Sequence, residues 1–168
     1  MQKDFIIVLA WPEGMVSAAG SWYDFFFARK GKYRVGHSAL AIVNSITCKL
    51  HYFDFGRYHV PNGYGRVRDV ETDRDVQILT SAKIENNRII NLEEILFEIK
   101  QKESFHGEGT LYASVLNDVS FAKAYKYAKQ EQQKGLIKYG PFVYNGTNCS
   151  RFVASVMRSS SPAYIKNA

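Results

Sequence analysis

Cys149 and His37 are the two residues whose types and positions best suit covalent chemistry. Cys149 follows Thr147 and Asn148, two helix-capping residues, and begins a predicted final helix. A thiol in the first turn of a helix lies at the positive end of the helix dipole, which lowers its pKa towards a reactive thiolate. Residues 139–148 are rich in turn-forming side chains, which favours a thiol at a cleft. We therefore interpret Cys149 as a nucleophile, although a buried, inert cysteine is the general alternative.

A cysteine nucleophile commonly uses a histidine as its base, and the chain has four histidines. His37 is preferred because it opens a predicted strand directly after Gly36, where the missing side chain leaves room beside the imidazole. His59 lies in an arginine-rich segment and His106 lies in a polar connection, so both are expected to be solvated. His51 lies inside the next predicted strand. The sequence therefore pairs Cys149 with His37.

A β-hairpin is expected to supply the third member of the site. Residues 36–43 and 49–55 have the composition of strands, and residues 44–47 form a turn between them. The simplest register pairs Val43 with Cys48. All other pairs in the hairpin follow from that one.

In this register Asp54 faces His37 on one side of the sheet, where an acid can orient the imidazole. A shift by one residue would move Asp54 to the other face and make His51 the better third residue. An ion pair with Arg57 or Arg68 is an almost equally good explanation of Asp54. The identity of the third residue therefore depends on the register.

The other segments predict a mixed α+β protein with an antiparallel sheet and packed helices. Further strands are predicted at residues 5–10, 76–84 and 111–116, and a long basic loop at 56–70. Helices are predicted around residues 22–29 and at 91–100, 120–134 and 149–158. The sequence thus provides enough strands and helices to cover the hairpin.

The length of 168 residues suits one domain, which would bury about 70% of the surface of its unfolded chain. Composition supports a folded protein, since 46% of residues are hydrophobic and 23% charged. We expect residues 1–168 to form a single domain with a mobile tail at 159–168. Without a membrane span or a signal peptide in the sequence, we expect a cytoplasmic protein.

The net charge of +6 permits binding to anions but identifies no partner. No nucleic-acid-binding motif is present, so specific nucleic-acid binding is not expected. The two cysteines lack the C-x-x-C spacing of zinc or redox sites, so we expect neither a metal nor another cofactor. Cys48, beside a turn, is interpreted as structural.

Two islands of sequence resemble the circularly permuted papain-like superfamily, which includes NlpC-type cell-wall amidases and lecithin:retinol acyltransferase-like enzymes. Gly36-His-Ser-Ala-Leu-Ala-Ile-Val43 resembles the histidine strand, and Asn148-Cys-Ser-Arg-Phe-Val153 resembles the cysteine helix. The histidine strand comes first, as in the permuted branch. Residues 144–146 are similar to the tyrosine and glycine that precede the cysteine in NlpC-type enzymes.

The resemblance implies that His37 deprotonates Cys149 and that the thiolate attacks an amide or ester carbonyl. Asp54 would hold the imidazole tautomer, and the Cys149 backbone N–H would bind the oxyanion. Oxyanion or substrate contacts are assigned to a wider set, namely Tyr139, Tyr144, Asn148, Arg66 and Trp11. Buried tyrosines, a solvated basic loop and core packing are the ordinary explanations of most of these residues.

Three functions follow from these patterns. The leading hypothesis is a cysteine hydrolase, a peptidase or amidase acting on a small peptide or a peptidoglycan fragment. An acyltransferase or thioesterase on the same fold is the first alternative. The second is a non-catalytic module that binds an anionic ligand on its basic face. For the hydrolase, Arg57, Arg66 and Arg68 are a candidate clamp for a substrate carboxylate, and Trp11 and Trp22 are candidate groove residues.

Overall fold

The computed structural model describes residues 3–17, 32–34, 36–140 and 142–161, with no side-chain placement for 15–17 and 32–34. Its strands are β1 (Asp4–Trp11), β2 (Met15–Ser17), β3 (Lys32–Arg34), β4 (His37–Val43), β5 (Leu50–Gly56), β6 (Tyr64–Arg68), β7 (Ile84–Glu85), β8 (Arg88–Ile89), β9 (Tyr112–Val119) and β10 (Ile137–Lys138). Its α-helices are α1 (Leu92–Gln101), α2 (Phe121–Gln133) and α3 (Cys149–Ser160).

Six of these strands form one antiparallel sheet in the order β10, β6, β5, β4, β1, β9. Strands β2 and β3 form one separate two-stranded ribbon, and β7 and β8 form another. The expected α+β class with an antiparallel sheet is confirmed. The permuted papain-like connectivity stays a prediction.

Apolar side chains cover the sheet on both faces. Phe5, Ile7 and Leu9 of β1 pack towards α1, whereas Ile6 of the same strand packs towards α2 and α3. This explains the continuous apolar run at residues 5–10, because a strand buried on both faces needs no polar alternation. Strands β4 and β5, in the middle of the sheet, are accordingly among the most buried parts of the chain.

The hairpin register differs by two residues from the expected one, because Val43 pairs with Leu50 rather than with Cys48. The turn is longer than expected. The Asn44 side chain accepts the backbone N–H groups of Ile46 and Thr47, and Cys48 adopts a left-handed φ of 57°. Cys48 therefore belongs to the turn, as the Asx-type hydrogen bonds of Asn44 require.

A shift of two residues leaves every side chain on its expected face, because the side-chain period of a strand is two. Asp54 pairs with Ala39 and shares its face of the sheet with His37. The face predicted for Asp54 is therefore correct even though its predicted cross-strand partner is wrong.

The predicted helices, the predicted strand at 76–84 and the predicted loop at 56–70 differ in how well they agree with the structure. All three predicted helices within the described residues form, and the helix expected around residues 22–29 lies outside them. The strand expected at 76–84 is wrong, because Arg74–Val76 is a 3₁₀ turn followed by irregular chain up to Ile84. The expected loop at 56–70 contains β6, which extends the sheet beyond β5.

The C-terminal part of the described chain is more ordered than the expected tail at residues 159–168. Ser159 and Ser160 form the last residues of α3, and Ser160 is buried. Residues 162–168 lie outside the described residues. None of the helices in the described part of the chain is long and apolar enough to span a membrane.

Gly36 fixes the entry to β4, and we predict that Gly36→Ala destabilises the fold more than Gly63→Ala. Both glycines have positive φ, 66° and 80°, so an added side chain costs about 1–2 kcal/mol of backbone strain at either position. Only at Gly36 would the new Cβ collide, at 2.7 Å from the Trp11 carbonyl oxygen. Urea unfolding of both variants measures the difference. Equal loss of unfolding free energy would contradict this role of Gly36.

Candidate active site

The first turn of α3 holds Cys149. The Asn148 side chain accepts the Arg151 backbone N–H at 2.9 Å and caps the helix, as its position in the sequence predicts. Farther along, Phe152 and Val153 anchor the helix on the apolar face of the sheet. Cys149 is therefore held at the start of a well-anchored helix, with 8% of its surface exposed.

The first residue of β4 is His37, and β1 supports its ring. Trp11 pairs with His37 across the two strands, and the rings stack with centroids 5.7 Å apart. The next residue, Ser38, places its hydroxyl 3.2 Å from that of Ser150. This contact joins the start of β4 to the start of α3, although the two serines are 112 positions apart in the sequence.

Asp54 accepts hydrogen bonds from the base and from an arginine. The His37 Nε2 atom lies 3.2 Å from Asp54 Oδ2, and Arg68 donates from Nη2 at 2.7 Å and from Nε at 3.0 Å. Both explanations of Asp54 offered by the sequence therefore hold together. The side chain of Asp54 is fully buried, so its charge depends on these donors.

Two tyrosines complete the surroundings of this carboxylate. The hydroxyl of Tyr52 donates to Asp54 Oδ2 at 3.0 Å, and the hydroxyl of Tyr58 donates to the same atom at 2.9 Å. Burial raises the pKa of Asp54, but hydrogen bonds and charge from His37 and Arg68 outweigh burial and hold it well below its usual range. Asp54 is accordingly ionised at any physiological pH.

The electrostatics of Cys149 and His37 favour an ion pair. Burial raises the pKa of the thiol, whereas hydrogen bonding and charge from His37, with hydrogen bonding from Ser38, lower it to about 7. Burial lowers the pKa of the imidazole, but hydrogen bonds and charge from Asp54 and Cys149 raise it to about 9. Between these two values the pair is a thiolate and an imidazolium.

A cavity of about 360 Å³ opens onto the pair. The described residues that line it are Gly14, Gly36, His37, Phe55, Gly56, Arg57, Tyr58, Val60, His106, Tyr139 and Cys149. It is large enough for part of a peptide but too small for a folded protein segment. Across the described ranges, no group of three or more His, Cys, Asp or Glu side chains is arranged to hold a metal ion.

Some residues assigned to oxyanion or substrate contacts lie elsewhere. Tyr139 lines the cavity and stacks on Phe55 at 5.9 Å, but Tyr144 lies in a separate surface depression with 86% of its surface exposed. Asn148 caps α3, so its side-chain oxygen is already engaged. Trp11 is only 2% exposed and packs on His37 behind the cavity, which makes it a support for the base.

The expected arginine clamp is not assembled. Arg66 makes a two-pronged ion pair with Asp73, at 2.6 and 2.7 Å, and Arg68 is buried against Asp54. Arg57 lines the cavity and lies over the Tyr139 ring at 5.9 Å. The basic segment therefore contributes structural ion pairs in β6 and only one arginine to the cavity wall.

His51, the alternative third residue, lies apart from Asp54 and the cavity. Its ring contacts Phe121 and Tyr125 of α2, each at 5.2 Å, on the face of the sheet opposite Asp54. Trp22, the other proposed groove residue, lies outside the described residues.

Sequence reasoning missed two cavity residues. Tyr58 contacts both Asp54 and His37, and His106 stacks on Tyr58 at 5.2 Å. His106 was expected to be solvated; it is indeed exposed, but at the rim of the cavity. In the sequence, the only local signal beside His106 is Gly107. The structure explains this glycine, since an added Cβ at Gly107 would lie 2.1 Å from Trp11 Nε1.

The sequence of this chain matches a known protein family. Residues 6–165 match the family described as type VI secretion system effector TseH-like. The chain belongs to the TseH-like family. No curated protein matches it.

A crystal structure of the type VI secretion system effector TseH is similar to the TseH-like chain described here. The two align with a TM-score of 0.62 and 21% sequence identity, over 94% of this chain and 76% of that chain. At this identity the match bears on the fold alone. An enzymatic activity is plausible for a TseH-like effector, and its chemistry must be argued from the site.

We predict that iodoacetamide alkylates Cys149 at a rate that rises with pH through a midpoint of about 7, because alkylation requires the thiolate. His37→Ala should move that midpoint upwards, since it removes the cation and hydrogen bond that lower the thiol pKa. Peptide mapping after brief exposure measures both cysteines at once, with Cys48 as the internal comparison. Equally slow labelling of the two cysteines would count against a reactive Cys149.

We also predict that Asp54→Asn lowers the free energy of unfolding by about 3–5 kcal/mol, because it leaves the buried guanidinium of Arg68 without its countercharge. Asp73→Asn is the matched control, since it breaks the less buried pair with Arg66 and should cost clearly less than Asp54→Asn. Denaturant titration of both variants gives the two values. Similar losses would mean that Asp54 and Arg68 are not coupled as their geometry indicates.

Proposed function

We propose that this chain is a cysteine hydrolase that cleaves an amide bond in a peptide, including the peptide part of a peptidoglycan fragment. One observation carries the proposal: Cys149 and His37 line the same cavity, and the His37 Nε2 atom is engaged by the buried carboxylate of Asp54. That engagement leaves Nδ1 of His37 as the ring nitrogen available to the thiol.

In the first half of the proposed reaction, the Cys149 thiolate attacks the carbonyl carbon of the substrate amide and forms a carbon–sulfur bond. The electron pair of the carbonyl moves onto its oxygen. Collapse of this intermediate breaks the carbon–nitrogen bond, while the His37 imidazolium gives its proton to the leaving nitrogen. The products are an amine and an acyl group held as a thioester on Cys149.

In the second half, neutral His37 accepts a proton from water as the water oxygen attacks the thioester carbonyl. Breakage of the carbon–sulfur bond releases a carboxylic acid and restores the thiolate and imidazolium. Asp54 keeps Nε2 protonated in both halves, because a buried carboxylate strongly favours an N–H donor facing it. Asp54 therefore orients the base and does not itself exchange a proton.

The oxyanion formed in each half needs donors near the sulfur. The Cys149 backbone N–H is the first candidate, because backbone N–H groups in the first turn of a helix have no acceptor within the helix. The Tyr139 side chain, on the cavity wall, is the second. Positive potential at the start of α3 adds to both effects.

Two further lines support the proposal. The order of a histidine strand before a cysteine helix is that of the permuted papain-like superfamily, and here β4 begins with His37 and α3 begins with Cys149. Membership of an effector family supports a role after export, so we place the substrate outside the producing cell rather than in its cytoplasm. Peptidoglycan peptides are an accessible amide substrate there.

We predict that wild-type protein releases peptides from purified peptidoglycan and that Cys149→Ala lowers this rate at least about 10³-fold, since it removes the nucleophile. Cys48→Ala is the matched control and should keep the wild-type rate, because Cys48 lies in the turn between β4 and β5, away from the cavity lining. Chromatography with mass spectrometry identifies the bond that is cleaved.

Two results would contradict the hydrolase. Equal product release by wild type and Cys149→Ala would exclude Cys149 as the nucleophile. Transfer of the acyl group to an added amine, with no free acid formed, would identify an acyltransferase that uses the same thioester.

A further inference from the structure

Tyr58 forms a second connection between the acid and the base of the site. It lies in the connection between β5 and β6, and its hydroxyl donates to Asp54 Oδ2 at 2.9 Å. The same hydroxyl lies 3.4 Å from His37 Nε2. One carboxylate oxygen is therefore shared by the imidazole and the phenol, and the phenol touches both.

The Tyr58 ring is held from several sides. The guanidinium carbon of Arg68 lies 3.4 Å from the ring centroid, and His106 stacks on the ring at 5.2 Å. The Tyr58 backbone carbonyl accepts Arg66 Nε at 2.8 Å, and Arg66 is itself fixed by Asp73. A tyrosine so constrained places its hydroxyl accurately, although it belongs to a loop.

Tyr52 provides a built-in comparison. Its hydroxyl donates to the same Asp54 Oδ2 atom at 3.0 Å, but it makes no hydrogen bond to His37 and does not line the cavity. The two tyrosines thus make equivalent bonds to the acid. They differ in whether they also contact the base.

We propose that Tyr58 is a positioning residue, whose hydroxyl bridges Asp54 and His37 and restricts the imidazole to the orientation in which Nδ1 is directed at Cys149. Trp11 stacks on the face of the imidazole, and a half-turn of the ring about its Cβ–Cγ bond, which exchanges Nδ1 with Cδ2 and Nε2 with Cε1, would preserve that stacking. The Tyr58 hydroxyl lies at the Nε2 edge of the ring, where the half-turn would replace the nitrogen by a carbon, so this contact opposes the half-turn. The catalytic meaning of this role rests on the proposed hydrolase.

Several titratable or charged groups besides Tyr58 surround His37. The titratable groups that face His37 are Asp54 from β5, Cys149 from α3, and Tyr58 and His106 from two loops, with Arg68 of β6 behind Asp54. Loss of the Tyr58 hydroxyl leaves all of these charged groups in place and removes one hydrogen-bonding group at the edge of the ring. A change in the reactivity of Tyr58→Phe would therefore follow from the orientation of the imidazole and not from a lost charge.

The test compares Tyr58→Phe with Tyr52→Phe, which both keep the ring and remove one hydroxyl bonded to Asp54. Tyr58→Phe should lower kcat on peptidoglycan peptides about 10- to 100-fold with little change in KM, because the base is misplaced and substrate contacts remain. Tyr52→Phe should lower kcat clearly less than Tyr58→Phe, because it removes a bond to Asp54 but none to His37. Thermal unfolding of both variants controls for general loss of stability.

Two readouts besides turnover separate positioning from structure. The pH dependence of Cys149 alkylation and the ¹⁵N chemical shifts of the His37 ring both follow the ion pair directly. For Tyr58→Phe we expect slower alkylation at pH 8 and a lower His37 pKa than in wild type, because a misplaced imidazolium and the Cys149 thiolate stabilise each other less. The alkylation rate of Tyr52→Phe should fall less than that of Tyr58→Phe.

The outcomes distinguish this inference from the proposed function. If wild type cleaves peptides and the two variants match each other in kcat and alkylation rate, the positioning role of Tyr58 is overturned and the hydrolase stands. If wild type cleaves no amide but Tyr58→Phe slows alkylation more than Tyr52→Phe does, the hydrolase fails and the positioning role stands.

Discussion

The buried carboxylate of Asp54 is the constraint on which the site depends. A charge with no solvent contact is tolerated only when donors surround it, and here they come from β4, β5, β6 and the connection that follows β5. Each donor ties one element to the same point. Arg68 extends the network to the Ser104 carbonyl at 3.0 Å, so the segment leading to the cavity rim is tied to it as well. The requirement to solvate one charge thus helps to align the parts that form the cavity.

The same network sets the reactivity of the thiol. Arg68 balances Asp54, which allows Asp54 to remain ionised and to hold a proton on His37. The imidazolium in turn lowers the pKa of Cys149 against the effect of burial. A change at Arg68 is therefore felt at Cys149 through two intermediate residues, although the two side chains belong to elements far apart in the sequence. The pKa of the Cys149 thiol therefore depends on β5 and β6 as well as on its own helix.

The residues that could be predicted from the sequence are those with strong local signals. The cap at Asn148 and the apolar period after it located α3, and the strand after Gly36 located His37. Asp54 was found despite the wrong register because a two-residue shift preserves the face of a strand. Tyr58 could not be found, since its position depends on Arg66, Arg68 and Asp73 acting together across a loop. A local sequence pattern does not indicate such a combination of contacts.

The positive net charge proves to be a poor guide to the ligand, for a related reason. The sequence suggested that Arg66 and Arg68 could bind a substrate. Within the fold, Arg66 forms an ion pair with Asp73 and Arg68 forms one with Asp54. Lys129 is likewise paired with Asp69 and Glu71. A basic segment therefore indicates an anionic partner only when its arginines and lysines are not already paired with carboxylates of the same fold. Within the cavity, the ion pair of Cys149 and His37 adds no net charge, so the charge and shape of the cavity are set by its wall, where Arg57 and the rings of Tyr58, His106 and Tyr139 lie.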